Sequence, residues 1–166
     1  MTTEQRIKEQ EDKDFRIVES IMHRIFTGNN ITIKQEEYGR HTDMRMTATT
    51  ELGDVKYNVE IKSKTGDVEE YGEVPLRLEK YIYMTGCTHS DERLIYIVLS
   101  NGYYHVFNLT NLNLNNVKLR NWRIKDTEYN SNSGMRQQPC MFIPLSLRNS
   151  TGIIPSNFVE EDADNQ

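Results

Sequence analysis

The sequence predicts an α/β or α+β domain built on a central mixed β-sheet flanked by helices. The N-terminal region has an amphipathic helical pattern, and three segments that alternate like half-buried strands follow it. A nearly continuous apolar run over residues 93–100 is typical of a strand buried on both faces. The order helix, three strands, helix, two strands therefore predicts helices packed on a mixed sheet.

The 166 residues are enough for one domain with a core and too few for two. We predict this domain over residues 1–150, with its core at about 15–109 and a C-terminal extension at 110–150. The acidic segment 151–166 is predicted to be a flexible tail.

The first helix is predicted over residues 4–26. Its apolar side chains recur at spacings of three and four, and Gly28-Asn29-Asn30 is the expected C-terminal stop. Glu19 falls at the flank of this stripe, either as an acid that reaches solvent or as a functional carboxylate. The stripe consists of Phe15, Val18, Met22, Ile25 and Phe26.

The three strands are predicted over residues 31–38, 42–50 and 54–64, and the last two form a hairpin. With Leu52-Gly53 as its two-residue loop, Asp43 lies opposite Lys62 and Arg45 opposite Glu60. Asp43 and Glu60 are then diagonal neighbours on one face, about 7–8 Å apart at Cα. A slip of one residue would invert the faces.

The second half of the chain is predicted as a helix over residues 73–84 with Pro75 in its first turn, then strands over 93–100 and 103–110. Leu78 and Ile82 are predicted to face inward, with Tyr81 as a third candidate, and Arg77, Lys80 and Met84 lie on another side. Residues 111–125 are predicted as a short helix or an edge strand, and 129–139 as an exposed loop.

Composition excludes several classes of protein. No apolar run approaches the ~20 residues of a membrane span, and the N-terminus is too polar for a signal peptide. The two cysteines are far apart and indicate neither a disulfide framework nor a zinc site. We therefore expect a soluble cytoplasmic protein with no membrane partner. The net charge is −5, but residues 76–150 hold 9 basic and 5 acidic side chains. A protein with a negative net charge can therefore still present a basic binding face.

Asp43, Glu60 and Lys62 are the candidate chemical group. Two close carboxylates repel each other and are hard oxygen donors, which a Mg²⁺ ion could bridge while keeping waters and a phosphate. A lysine beside them could orient or deprotonate a water, or stabilise developing negative charge. A solvated sheet face with cross-strand ion pairs shows the same pattern. The spacing alone leaves both interpretations open.

Asp43, sixteen intervening residues and then Glu60-Ile61-Lys62, with Glu19 on a preceding helix, resemble the PD-(D/E)xK nuclease superfamily. The predicted order of elements over about 15–109 also resembles the restriction-endonuclease-like core of that superfamily, which includes Holliday-junction resolvases. Thr42 stands where the motif often has proline. The resemblance implies a metal-dependent endo- or exonuclease that hydrolyses phosphodiester bonds, with DNA as the expected nucleic acid.

The resemblance also implies roles for single residues. Asp43, Glu60 and the carbonyl of Ile61 would ligate Mg²⁺ or Mn²⁺. Lys62 would act on the nucleophilic water, and Glu19 would bind a second metal or its water. Substrate phosphate would be contacted by Lys80 and Arg77.

The alternatives to an enzyme are a catalytically inactive nucleic-acid-binding protein on the same scaffold and a structural or assembly protein, for example of a virus. An exposed Lys62 would favour the structural interpretation, and a buried, charge-coupled Lys62 would oppose it. Many members of the superfamily act as symmetric dimers, so a homodimer with an edge from residues 94–109 is compatible with the resemblance.

Trp122 is the best aromatic candidate for a nucleic-acid contact, because the charged side chains around it are basic. A packing or solvated role for the same residues is the alternative. The basic residues are Lys118, Arg120, Arg123 and Lys125.

Overall fold

The structure is a computed structural model that describes residues 2–36, 41–125 and 135–158. It is an α+β fold with a mixed central sheet of six strands, and a second sheet of three strands packs beside it. The helices are α1 (Thr3–Ile25), α2 (Val68–Tyr71) and α3 (Leu78–Cys87). The strands are β1 (Asn30–Gln35), β2 (Met44–Thr50), β3 (Gly53–Lys64), β4 (Glu73–Arg77), β5 (Glu92–Ser100), β6 (Tyr103–Asn108), β7 (Lys118–Lys125), β8 (Met135–Pro144) and β9 (Ser150–Ile153).

The central sheet has the order β1-β2-β3-β5-β6-β9. Only β3 and β5 are parallel neighbours, and the connection between them contains α2, β4 and α3. Because the carboxyl ends of parallel neighbours meet at one edge of a sheet, this is where a site is expected. The predicted mixed sheet and the five predicted strands are confirmed.

The central sheet is covered on both faces, as the apolar run predicted. Ile95, Ile97 and Leu99 of β5 belong to the core beneath α1. The alternate residues Leu94, Tyr96 and Val98 belong to a second core, shared with α3 and the second sheet. Alternate side chains of β5 therefore point into two different apolar cores, one on each face of the sheet.

The N-terminal helix is confirmed with nearly the predicted bounds. Thr2 caps it through a reciprocal pair of hydrogen bonds with Gln5, and Gly28 follows its end with φ +90°. Ile25 was expected in the buried stripe, but it is 40% exposed. The buried apolar residues on the inner face are Ile17, Val18, Ile21 and Met22.

The hairpin of β2 and β3 differs from the prediction by two residues in register. Thr50 pairs with Gly53, so the loop is Glu51-Leu52 and not Leu52-Gly53. The Thr50 hydroxyl receives a hydrogen bond from Leu52 N–H and donates one to the Gly53 carbonyl, and Gly53 takes φ +115°. Arg45 consequently pairs with Asn58 and not with Glu60. A slip of two residues keeps every side chain on its predicted face.

The helix predicted to begin around Pro75 begins later. Residues 73–77 form strand β4, in which Pro75 pairs with Phe142 of β8, and α3 starts at Leu78. Proline is tolerated here because β4 is an edge strand of the second sheet. The helix is therefore rotated from the predicted orientation: Met84 is fully buried, and Ile82, expected inside, is 60% exposed.

The C-terminal third completes both sheets. β7 is an edge strand beside β8, which confirms one of the two predictions for residues 111–125. Residues 135–139, predicted as a loop, lie in β8. β9 pairs with β6, so regular structure continues past residue 150, and half of the predicted tail, residues 159–166, lies outside the described residues. Since β5 and β6 each have two neighbours, residues 94–109 offer no free strand edge for a dimer.

His105 is a fully buried histidine on β6, opposite Thr151 of β9. Its Nδ1 lies 3.2 Å from Thr151 Oγ1 and 3.8 Å from Glu69 Oε1, and Nε2 has no hydrogen-bond partner among the described residues. Burial lowers the pKa of His105, and the Arg148 charge adds to this, while Glu69 and Asp67 oppose it.

This environment predicts loss of stability in mild acid. The unfolded chain, with an ordinary histidine pKa of about 6.5, binds a proton that the folded state does not. The contribution of His105 to the free energy of unfolding should therefore be constant above that pKa and fall as pH drops through it. His105→Gln should flatten this slope in urea unfolding measured from pH 7.5 to 5.5. His23→Gln, at an exposed position, is the control, and an equal effect of both substitutions would contradict the prediction.

Candidate active site

The site forms where β3 approaches its carboxyl end. Val59 and Ile61 belong to the core beneath α1, so Glu60 between them faces the opposite side, toward α3. Glu60 is only 9% exposed, and Nζ of Lys80 on α3 lies 2.9 Å from its Oε2. The sheet and α3 thus enclose one carboxylate and one ammonium.

Asp43 is held beside this segment by two hydrogen bonds. Its backbone N–H donates to the Val59 carbonyl at 3.0 Å, and its Oδ2 accepts from the Ile61 N–H at 2.7 Å. In an extended strand the N–H and C=O of one residue point to the same side, so the Ile61 carbonyl is directed toward Asp43 as well. The structure therefore brings together Asp43, Glu60 and the Ile61 backbone.

Glu60 is strongly perturbed electrostatically. Burial, and then the negative charge of Asp43, raise its pKa to about 8, although Lys80 and Lys62 oppose the rise. Its Oε2 forms the ion pair with Lys80 but makes no hydrogen bond of favourable geometry among the described residues. A cation between the two carboxylates would offset both the burial and the repulsion.

Lys62 is exposed on the same face as Glu60. Burial raises the pKa values of Glu60, Asp14 and Glu11, and the positive charge of Lys62 offsets part of each rise. The exposure agrees with a solvated sheet face, and the coupling agrees with a functional cluster. An accessible ammonium beside a buried carboxylate is also in a position to contact water or a phosphate.

The carboxylates of α1 that approach this cluster are Asp14 and Glu11. Asp14 is 9% exposed, and it hydrogen-bonds with Gln10 at 2.7 Å and with the Ser63 side chain. Burial raises the pKa values of Asp14 and Glu11, and the Asp43 charge adds to both rises. Glu19, five residues beyond Asp14, points about 140° away around the helix. The structure does not bring Glu19 to the cluster.

Sequence analysis missed Asp14, although a signal was present. Asp14 lies at spacings of three, four and seven residues from Ile17, Val18 and Ile21, which are all buried. A carboxylate in line with a core-facing stripe, and not at its flank, is the stronger candidate for a site beneath the helix.

The two predicted phosphate contacts have different surroundings. Lys80 reaches Glu60, so its ammonium lies inside the site. Arg77 immediately precedes α3 and pairs with Cys140 of β8, on the second sheet. Burial raises the pKa of the Cys140 thiol, and the positive charge of Arg77 opposes that rise. Arg77 therefore lies at the boundary between the site and the second sheet.

Metal binding would depend on few protein ligands. Within residues 2–36, 41–125 and 135–158, no three His, Cys, Asp or Glu side chains form a group that could hold a metal ion. The available donors at the cluster are two carboxylates and one backbone carbonyl. Mg²⁺ sites commonly use one or two carboxylates and complete their coordination with waters and substrate phosphate.

Comparison with known proteins gives no family. No protein-family model matches the chain, and no curated protein matches it. None of the described helices is long and apolar enough to cross a membrane.

Proposed function

We propose that the protein is a metal-dependent nuclease that hydrolyses phosphodiester bonds, with DNA as the expected substrate. The observation that carries the proposal is the hydrogen bond from Ile61 N–H to Asp43 Oδ2. It fixes Asp43 against the segment that carries Glu60 and Lys62, at the carboxyl ends of two parallel strands. This supports the resemblance to the PD-(D/E)xK superfamily and its restriction-endonuclease-like core.

The donors present fit a hard divalent cation. Asp43, Glu60 and the Ile61 carbonyl would hold Mg²⁺ or Mn²⁺, and the unfilled acceptor capacity of the buried Glu60 Oε2 supports this. A bound ion would supply charge neutralisation at the phosphate and a lowered pKa of bound water.

The remaining residues would orient water and substrate. The exposed ammonium of Lys62 would hold the attacking water and stabilise negative charge on the phosphoryl oxygens. The ammonium of Lys80 is paired with Glu60. If a metal ion took its place beside Glu60, Lys80 would be free to contact substrate phosphate. The supporting role that the resemblance assigns to Glu19 is better matched by Asp14 and Glu11, whose pKa values respond to Asp43 and Lys62.

A second candidate is an inactive nucleic-acid-binding or assembly protein on the same scaffold. The ion pair of Glu60 with Lys80 favours it, because a carboxylate already paired with an ammonium does not need a metal. Metal-dependent cleavage distinguishes the two candidates.

The test is cleavage of plasmid, linear duplex, single-stranded and branched DNA with Mg²⁺, Mn²⁺ or EDTA. Lys62→Ala should lower the rate by about 10²–10⁴-fold, the usual contribution of a group that manages the attacking water. Lys56→Ala is the matched control, because Lys56 lies on the same face of β3 in an exposed ion pair with Asp91. No metal-dependent cleavage of any substrate, together with no metal binding by calorimetry, would refute the nuclease proposal.

A further inference from the structure

β7 presents an exposed basic edge. It pairs on one side only, with β8, and residues 118–123 are all exposed. Its charged residues are all basic, and Lys118 and Arg123 form no ion pair with any described residue. Such an edge is complementary to a polyanion.

Trp122 packs against the second sheet at this edge. It is 48% exposed, yet its ring meets Phe142 edge-on, with centroids 5.3 Å apart. Arg120 lies over the same Phe142 ring at 4.2 Å and is anchored to Glu73 by contacts of 2.5 and 2.7 Å. An indole that packs on another ring and keeps about half of its surface exposed is the kind of platform on which unpaired bases stack.

The platform is linked to the candidate active site through β4 and α3. Arg77, Cys140 and Arg120 are successive partners across β4, β8 and β7. Arg77 and Arg120 are therefore about 10 Å apart, and Trp122, two residues beyond Arg120, shares their face of the sheet. Three residues beyond Arg77, Lys80 contacts Glu60.

We propose that β7 binds single-stranded DNA along its free edge, with a base stacked on Trp122 and a phosphate at Lys118 on the same face. A second phosphate would be contacted by Arg123, which reaches the edge from the opposite face. A duplex hides the faces of its bases, whereas a single strand presents both bases and phosphates to this edge. The inference rests on the proposed function and names the class of substrate for it.

Trp122 is the only tryptophan of the chain, so its fluorescence reports the contact directly. Titration with twelve-residue oligothymidylate in EDTA should quench this fluorescence saturably. A blunt duplex of the same length and polyglutamate should quench it at least tenfold more weakly. The logarithm of the affinity should fall with that of salt concentration with a slope of about −1.4, for two phosphate contacts at about −0.7 each.

Variants separate stacking from charge, with fluorescence anisotropy of a labelled oligothymidylate as the readout. Trp122→Ala should weaken binding by about 5- to 100-fold, and Trp122→Phe by less, because a ring remains. Arg123→Glu should weaken binding and reduce the salt slope. Tyr103→Ala, another exposed aromatic at 45% exposure, should leave the affinity unchanged.

The inference and the proposed function fail in different ways. Cleavage without quenching, or equal binding of duplex or polyglutamate, would overturn the inference and leave the nuclease proposal standing. Selective quenching of the wild type, together with anisotropy affinities that Trp122→Ala and Trp122→Phe weaken in the stated order, would uphold single-strand binding even if no metal supports cleavage.

Discussion

Replacing Asp43 by asparagine is expected to abolish most metal-dependent cleavage while leaving the fold intact. Asparagine keeps a side-chain carbonyl that can accept the hydrogen bond from Ile61 N–H, but it removes a negative charge. Loss of one group that stabilises the charge of the transition state typically lowers the rate by about 10²–10³-fold. Calorimetry should show that Mg²⁺ and Mn²⁺ affinities fall with the rate.

Stability separates this effect from unfolding. The Asp43 charge raises the pKa of Glu60, so Asp43→Asn removes a repulsion, and its free energy of unfolding should stay within about 1 kcal/mol of the wild type. Asp43→Ala also leaves Ile61 N–H without its partner, which should cost about 1–3 kcal/mol.

Asp54→Asn is the matched control for the asparagine substitution. Asp54 lies on the same strand as Glu60 and accepts a hydrogen bond from Thr49 at an exposed position. It should retain cleavage and metal binding. If Asp43→Asn also retained both, Asp43 would not be a metal ligand.

Removing Lys80 is expected to produce the largest loss of stability. Its ammonium compensates a carboxylate that is 9% exposed, and removal of one partner of a buried pair leaves the other charge uncompensated. Lys80→Met should lower the free energy of unfolding by about 3 kcal/mol, the lower end of the range for such pairs. Urea unfolding at pH 9 measures the change, because Glu60, whose pKa is raised to about 8, is ionised there.

Two further variants test the cause. Glu60→Gln combined with Lys80→Met should recover most of the loss, because no charge then remains in the pair. Lys56→Met breaks an exposed pair at 3.7 Å and should change stability by at most about 0.5 kcal/mol. Equal losses for Lys80→Met and Lys56→Met would show that burial of the pair is unimportant.

Magnesium offers a second readout of the same pair. If Asp43 and Glu60 hold the ion, Mg²⁺ should stabilise Lys80→Met more than the wild type, because it supplies the missing compensation without displacing an ammonium. A thermal unfolding series with increasing Mg²⁺ measures this difference. Equal stabilisation of both proteins would place the ion elsewhere.

The elements that could be predicted from sequence are those with a local cause. The strands followed from alternation, and the first helix from the spacing of its apolar residues and its glycine stop. The prediction of a helix from Pro75 was wrong because proline suits both the first turn of a helix and an edge strand. The pairing with β8 decides between the two. The hairpin loop shifted because the Thr50 hydroxyl stabilises a turn that glycine spacing does not specify.

The candidate site could be predicted in part, because some of its residues are placed by local strand pairing. Asp43, Glu60 and Lys62 lie on neighbouring strands, so a register error of two residues preserved their faces. The ion pair of Lys80 with Glu60 depends on how α3 packs against the sheet, which no local pattern encodes. Glu19 was chosen from the flank of a helical stripe, whereas the direction of the helix selects Asp14.

The pairing of Glu73 with Pro144 has a consequence for how the chain reaches its native state. β4 lies in the connection between the two parallel strands and pairs with β8, about seventy residues later in the sequence. β6 pairs with β9, near the end of the described residues. Ile143 of β8 also packs with Val74 and Leu94. On a ribosome, the enclosed half of the sheet would stay uncovered until β8 has emerged. A protein shortened before β8 should therefore aggregate during synthesis instead of yielding a smaller working domain.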